Sequence, residues 1–254
     1  MTDILVHNEA GVLTLTFNRF EKKNSITAAM YAALAVALEA AREDAGVRAV
    51  VIQGHELIFS AGNDLGDFMN NPPADDSAPV WRFLHALSGF TKPLIGAVCG
   101  AAVGVGTTLL LHCDLVYAGD NARFSLPFVN LGLCPEAASS LLLPERLGHV
   151  RAAELLLLCE PFGAEQALEW GLVNRILVPS EVNLYAQAQA RKLTEKAQSS
   201  LIETKRFMKE GRADAVRRRI AAEGETFTRM LHEPAATEAL QAFMAKRKPD
   251  FSKF

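Results

Sequence analysis

Several features that would fix a function at once are missing from this chain. Cys99, Cys113, Cys134 and Cys159 form no C-x-x-C pair and stand among apolar or small residues, a pattern of reduced thiols rather than of disulfides or structural zinc. His7, His55, His85, His112, His149 and His232 show neither paired nor E-x-x-H spacing, so no metal site is expected. No P-loop Gly-Lys-Ser/Thr occurs. Gly104-Val105-Gly106 is followed by Thr107, Thr108 and Leu109, where a dinucleotide fingerprint needs a third glycine. Nucleotide hydrolysis and hydride transfer therefore lose their best signals. No segment supplies the roughly 20 apolar residues of a membrane span. The opening MTDILVHNEAGVLTLTF lacks a basic region followed by an apolar run. A cytoplasmic protein with no membrane partner is expected. The final Ser252-Lys253-Phe254 is one residue away from a peroxisomal S-K-L address and does not match it. An overall basic field is missing too: the formal charge is -3 and the pI near 6.1, which points away from nucleic acid and towards small molecules.

What is present suits one large globular domain with an appendage, with 50% hydrophobic and 22% charged residues over 254 positions. Ile4 to Val6, Val12 to Phe17, Ala49 to Gln53, Leu94 to Val98 and Leu115 to Ala118 read as short strands. Several are continuous apolar runs suited to a sheet covered on both faces. Thr27 to Glu43 reads as a helix with Ser25 or Thr27 as N-cap, and further helices are expected at Pro79 to Phe90, Gly106 to His112, Val150 to Leu158 and Ala164 to Trp170. Beyond about Glu181 the pattern is helical, through Ala190 to Lys196, Ser199 to Glu210, Ala213 to Leu231 and Pro234 to Lys246. The expectation is an α/β core over residues 1–190 and a helical region over 191–254. Asn70 to Ser77, NNPPADDS, reads as a mobile loop placed to cover a site.

Two glycine-bearing stretches follow probable strands: Phe59 to Leu65, FSAGNDL, and Lys92 to Asp114, KPLIGAVCGAAVGVGTTLLLHCD. Glycine there lets bare backbone N-H groups approach a ligand, and the second stretch runs straight into a helix start. Together they would build an oxyanion hole; equally, Gly62, Gly104 and Gly106 would serve close packing alone. Glu136 poses the sharper question. It is the only acid between Val129 and Leu143, set after Pro135 among Leu133, Cys134 and Ala137. One reading makes it a first-turn helix acid, worth roughly 0.3–1 kcal/mol through the dipole. The other makes it a desolvated base with a raised pKa.

LTLTFNRFEKKNSIT (Leu13 to Thr27), FSAGNDL, KPLIGAVCGAAVGVG with the following HCDLVYAGDNARFSLP, and GLVNRIL (Gly171 to Leu177) resemble, in order, the signatures of the crotonase superfamily of enoyl-CoA hydratases and isomerases. The resemblance spans nearly the whole chain. It implies a superhelical core of repeated β-β-α turns, a C-terminal helical region that builds a homotrimer or homohexamer, acyl-CoA thioester substrates, and no cofactor beyond the coenzyme A of the substrate. By position it implies oxyanion donors at the backbone N-H groups of Asn63 and Val105. Around them it implies substrate contacts at Ala61, Gly62, Asp64, Gly104 and Phe128, and at Lys23 near the CoA phosphates. The two glutamates with which hydratases of the family hold water fall here on Thr108 and Phe128, which cannot deprotonate water. Leu126 to Gly148 resembles instead the isomerases that move a 3-enoyl-CoA double bond to the 2-position with one carboxylate, and Glu136 falls on that carboxylate.

Other residues carry two readings each. Asp64 would touch substrate or cap its own turn. Asp114 reads as structural. Arg191 to Arg219 holds ten Lys or Arg against four Asp or Glu, with Lys205, Arg206 and Lys209 placed to reach CoA phosphates or to form a solvated face or subunit contact. Trp81, Phe83, Leu84 and Leu87 would line an acyl tunnel or fill the core. The expected activity is 3-enoyl-CoA isomerisation through Glu136. The alternatives are hydration or another oxyanion-hole reaction on a CoA thioester, or a noncatalytic acyl-CoA-binding subunit.

Overall fold

A computed structural model describes residues 2–73 and 77–254. Ten strands divide between two sheets. The larger contains β1 (Ile4–Glu9), β2 (Val12–Phe17), β3 (Ala49–Gln53), β5 (Leu94–Val98), β7 (Leu115–Gly119) and β10 (Arg175–Leu177), in that spatial order. The smaller contains β4 (Ile58–Ser60), β6 (Ala101–Val103), β8 (Arg123–Ser125) and β9 (Phe162–Gly163). β1 and β2 form an antiparallel hairpin, and β2, β3, β5, β7 and β10 then run parallel. β4, β6 and β8 are likewise parallel. β3, β5 and β7 are each followed by a short strand of the other sheet, β4, β6 and β8, and then by helix, which is the repeated β-β-α turn the resemblance implies.

All five strands expected from the apolar runs are present. β3, β5 and β7 are almost entirely buried because both faces of the larger sheet are covered. Val50, Ile52, Leu94 and Val98 point into the main core with α1 (Ala28–Glu43). Val51, Ile95, Ala97 and Tyr117 meet Val182, Ala186 and Ala190 of α8 (Pro179–Thr194) on the other side. The division expected at residue 190 falls inside α8. Thr27 is the N-cap of α1, its hydroxyl accepting from Met30 N-H at 3.3 Å.

The remaining helices are α2 (Leu65–Asn70), α3 (Pro79–Ser88), α4 (Val105–Thr108), α5 (Ser139–Leu147), α6 (His149–Ala153), α7 (Ala164–Glu169), α9 (Gln198–Leu231) and α10 (Pro234–Met244). α4 continues as a 3₁₀ turn to His112, and α6 as a π-helical turn over Glu154–Leu158. α9 runs unbroken through Gly211, where two helices were expected. Trp81, Phe83, Leu84 and Leu87 on α3 are all core. Phe227 of α9 meets Trp81 and Phe68 edge to face, at ring centroid distances of 6.1 and 5.9 Å, which fastens the helical region to the core. Of the expected Asn70 to Ser77 loop, residues 74–76 lie outside the described residues. Among the described residues no helix is long and apolar enough to cross a membrane.

Candidate active site

The parallel pairing of β4 with β6, Ser60 beside Ala102, brings the two glycine turns side by side. Gly62 has φ +83°, and a Cβ there would stand 2.7 Å from Val103 O, so this glycine serves close approach. Gly104 has φ +55° and ψ -117° with open space around it, so its need is conformational. Residues on either side of Asn63 bond to Ile26: Ile26 N-H donates to Gly62 O at 2.8 Å and Asp64 N-H to Ile26 O at 2.9 Å. The N-H of Asn63 itself is thereby turned to the opposite side. Val105 is the first residue of α4, whose N-H has no place in the helix ladder.

Both residues line one cavity of about 770 Å³. Ala61, Gly62, Asp64, Gly104, Phe128 and Lys23 line it too, so the structure gathers most of the expected site. Phe68, Leu131, Leu133, Phe227 and Leu240 make much of its wall apolar, the last two contributed by the helical region. The loop after β2 is held at the rim by Asn24, which is fully buried and donates to Phe59 O at 3.1 Å. A second tie is the 2.6 Å ion pair of Arg19 with Asp64. Asp64 also accepts from Asp67 N-H at 3.0 Å as the cap of α2. Burial pushes its carboxyl up, but Arg19, Asp67 N-H and Ser25 together hold it below the usual carboxylate range.

Glu136 is 2% exposed and is not part of the cavity wall. Its Oε1 accepts the Thr108 hydroxyl at 2.5 Å. Thr108 and Val105 lie three residues apart on α4 and so on one face of it, which places the bond that holds the carboxyl on the same face as the Val105 end of the helix. Burial pushes the Glu136 pKa up to about 7; the Thr108 bond pulls it down and the charge of Glu223 pushes it up. Tyr31, buried on α1, is raised well above the usual phenol range by burial and then by Glu136, and its hydroxyl donates to Asn63 Oδ1. Tyr31 thus feels the charge of Glu136 while bonding a residue of the cavity wall.

The reading of Glu136 as a helix acid is overturned. α5 begins three residues later, and Glu136 gives its side chain to Thr108 rather than to helix N-H groups. Ala137 and Ala138 both take left-handed backbone, φ +59° and +56°, at a cost of about 1–2 kcal/mol each for a residue with a Cβ. The carboxylate at the start of α5 is instead Glu223 of α9. It accepts from Ala138 N-H at 2.6 Å and from Ser140 N-H at 3.1 Å. Sequence reasoning missed Glu223 and Tyr31, since nothing local marks a residue whose partners lie far along the chain.

Lys205 is corrected as well. It is 6% exposed, bonds Asp114 Oδ2 and Lys92 O at 2.6 Å each, and does not line the cavity. Burial lowers its pKa while Asp114 raises it. Arg206 pairs with Glu203 and Glu210, and Lys209 donates to His112 O at 3.0 Å. Lys205, Arg206 and Lys209 are thus spent on contacts within the chain, and Asp114 is structural as expected.

A family profile described as Enoyl-CoA hydratase/isomerase matches residues 7–253. The chain belongs to the enoyl-CoA hydratase/isomerase family. The 2,3-dehydroadipyl-CoA hydratase of Escherichia coli is 36% identical over 256 residues, 99% of each chain. The enoyl-CoA delta isomerase 2 of Rattus norvegicus is 41% identical over 183 residues, 70% of this chain and 46% of that protein. OdaA of Pseudomonas aeruginosa superposes with a TM-score of 0.94 at 50% identity, covering 96% of this chain and 99% of that one. As a member of this family the protein is a crotonase-type enzyme of CoA thioesters, in a family that holds hydratases and isomerases alike.

Proposed function

We propose that the enzyme moves the double bond of a 3-enoyl-CoA to the 2-position. The observation that carries this is Glu136, a buried carboxyl with a pKa near 7, with a hydroxyl and a phenyl ring at Thr108 and Phe128 where a hydratase would hold two acids. Its proton affinity suits a group that must take a proton and give it back. Glu136 stands behind the cavity wall and turns from Thr108 towards the acyl group to remove a proton from C2, and the electron pair moves into a dienolate whose charge lies on the thioester oxygen. Asn63 and Val105 N-H groups stabilise that oxygen. Glu136 then returns the proton at C4, leaving the C2–C3 double bond. Atoms and charge balance with no further reagent, so coenzyme A enters only as part of the substrate. The apolar wall of Phe68, Leu133 and Phe227 takes the acyl chain, and Lys22 and Lys23 at the rim face the CoA end.

A spectroscopic panel of 3-enoyl-CoA esters tests the reading. Glu136→Gln should bind CoA esters normally and lose on the order of a hundredfold or more in rate. Hydration of 2-enoyl-CoA by the wild type should be negligible. Fast hydration, or full isomerase activity in Glu136→Gln, would overturn it.

A further inference from the structure

The turn that presents Glu136 is gripped from two sides by residues distant in sequence. His112 Nε2 lies 2.8 Å from Ala137 O; burial pushes its imidazole down to about 3, so it is neutral and donates through this nitrogen. From the other side Glu223 spreads both oxygens over three donors: Ala138 N-H on Oε2, and Ser140 N-H and the Ser140 hydroxyl, at 2.5 Å, on Oε1. Both oxygens accept and neither donates, which suits the ionised form; burial pushes the Glu223 pKa up, and the Ser140 and Ala138 bonds and the Arg219 charge pull it back. Arg219, on the same helix, donates to Ser140 Oγ at 2.8 Å and places a positive charge behind that contact. Glu223 is 7% exposed and is no part of the cavity wall, so substrate binding makes no demand on it. A backbone carbonyl or a serine would cap α5 without the expense of a buried charge.

We propose that Glu223 is the positioning residue of the acid-base group: its two-oxygen grip on Ala138 and Ser140 fixes the left-handed turn that holds Glu136 against Thr108. Its charge has a second effect, favouring the protonated form of Glu136. The polar groups around Glu136 are Thr108, Tyr31, Cys134 and Glu223; those around Glu223 are Ser140, Cys134 and Arg219.

Glu223→Gln tests this, because it keeps the side chain's size but sets an NH₂ group against one of the N-H donors. The expected result is a fall in kcat of about tenfold or more with KM within about twofold, and a kcat/KM midpoint moved to lower pH. Amide hydrogens of Ala138 and Ser140 should exchange about tenfold faster or more while those of α3 keep their rates. A merely structural role would lower thermal stability and leave the pH midpoint where it was. The kinetic arm rests on the isomerase reading; a wild type that turns over no 3-enoyl-CoA would sink that reading alone. Amide exchange and a carbon-13 titration of the Glu136 carboxyl would still decide the role of Glu223. Wild-type exchange at Ala138 and Ser140, or an unmoved Glu136 titration, overturns the proposal. If Glu223→Gln does not fold, Ser140→Ala, which removes one donor and keeps the carboxylate, should show the faster exchange at Ala138 and the fall in kcat at smaller size with the pH midpoint unmoved, and wild-type exchange and kcat there overturn the proposal equally.

Discussion

Thr108 Oγ1 stands 2.5 Å from Glu136 Oε1, a bond between the helix that follows the second glycine turn and a carboxyl 28 residues further on. It opposes burial in setting the proton affinity of Glu136. Thr108→Val keeps the shape and removes the donor. The kcat/KM midpoint should therefore rise above that of the wild type, and stability above about pH 7 should fall by about 1–3 kcal/mol. An unchanged pH profile would show that the bond does not set the titration.

Glu136 also makes a stability prediction whose sign follows from its raised pKa. The carboxyl titrates near 4.5 when unfolded and near 7 when folded, so its contribution is complete below 4.5 and is lost as pH rises to 7. Gln does not titrate and still accepts from Thr108. Glu136→Gln should match wild type at pH 4 and exceed it at pH 8 by on the order of 3 kcal/mol, read as a higher Tm in thermal melts. A constant difference at all pH values would argue against a buried, titrating carboxyl.

The two glycines of the cavity should fail differently. At Gly62 an added Cβ meets Val103 O at 2.7 Å, so Gly62→Ala must separate the turns and should lower both Tm and activity. At Gly104 there is room, and the cost is backbone strain of about 1–3 kcal/mol. Gly104→Ala should therefore bind acyl-CoA with little change, while its displaced Val105 N-H costs rate on the order of a hundredfold. Equal losses of binding and rate in the two variants would refute the distinction.

Phe243 and Met244, at the end of α10, are 61% and 69% exposed although they line the cavity. Apolar side chains beside a binding site invite cover from a neighbouring copy. Analytical ultracentrifugation should report a trimer or a pair of trimers. A stable monomer at micromolar concentration would count against that expectation.

Five of the six strands of the larger sheet were legible, β3, β5 and β7 because each is an apolar run that the two covering layers demand; β10, three residues long, was not. The smaller sheet was not: β4, β6 and β8 hold three residues each, too few to show a period, and only their parallel register aligns the glycine turns. Gly62 and Gly104 were legible from the turns themselves, and Asn63 and Val105 only through the family resemblance that placed them. Lys205 misled because its charge reads the same in sequence whether it meets solvent or Asp114. Glu136 was visible as an isolated acid, but the company that tunes it was not, since Thr108, Tyr31 and Glu223 come from three separate helices.

The span between Ala138 and Glu223 is 85 residues, and the bond between them closes the site from α9. A ribosome therefore makes Glu136 well before the carboxylate that grips the far side of its turn. An emerging chain with both glycine turns in place would hold that turn through His112 alone, beside two left-handed alanines. The long helix that brings Glu223 also brings Phe227 to the cavity wall, so turn and pocket are completed together, late in synthesis.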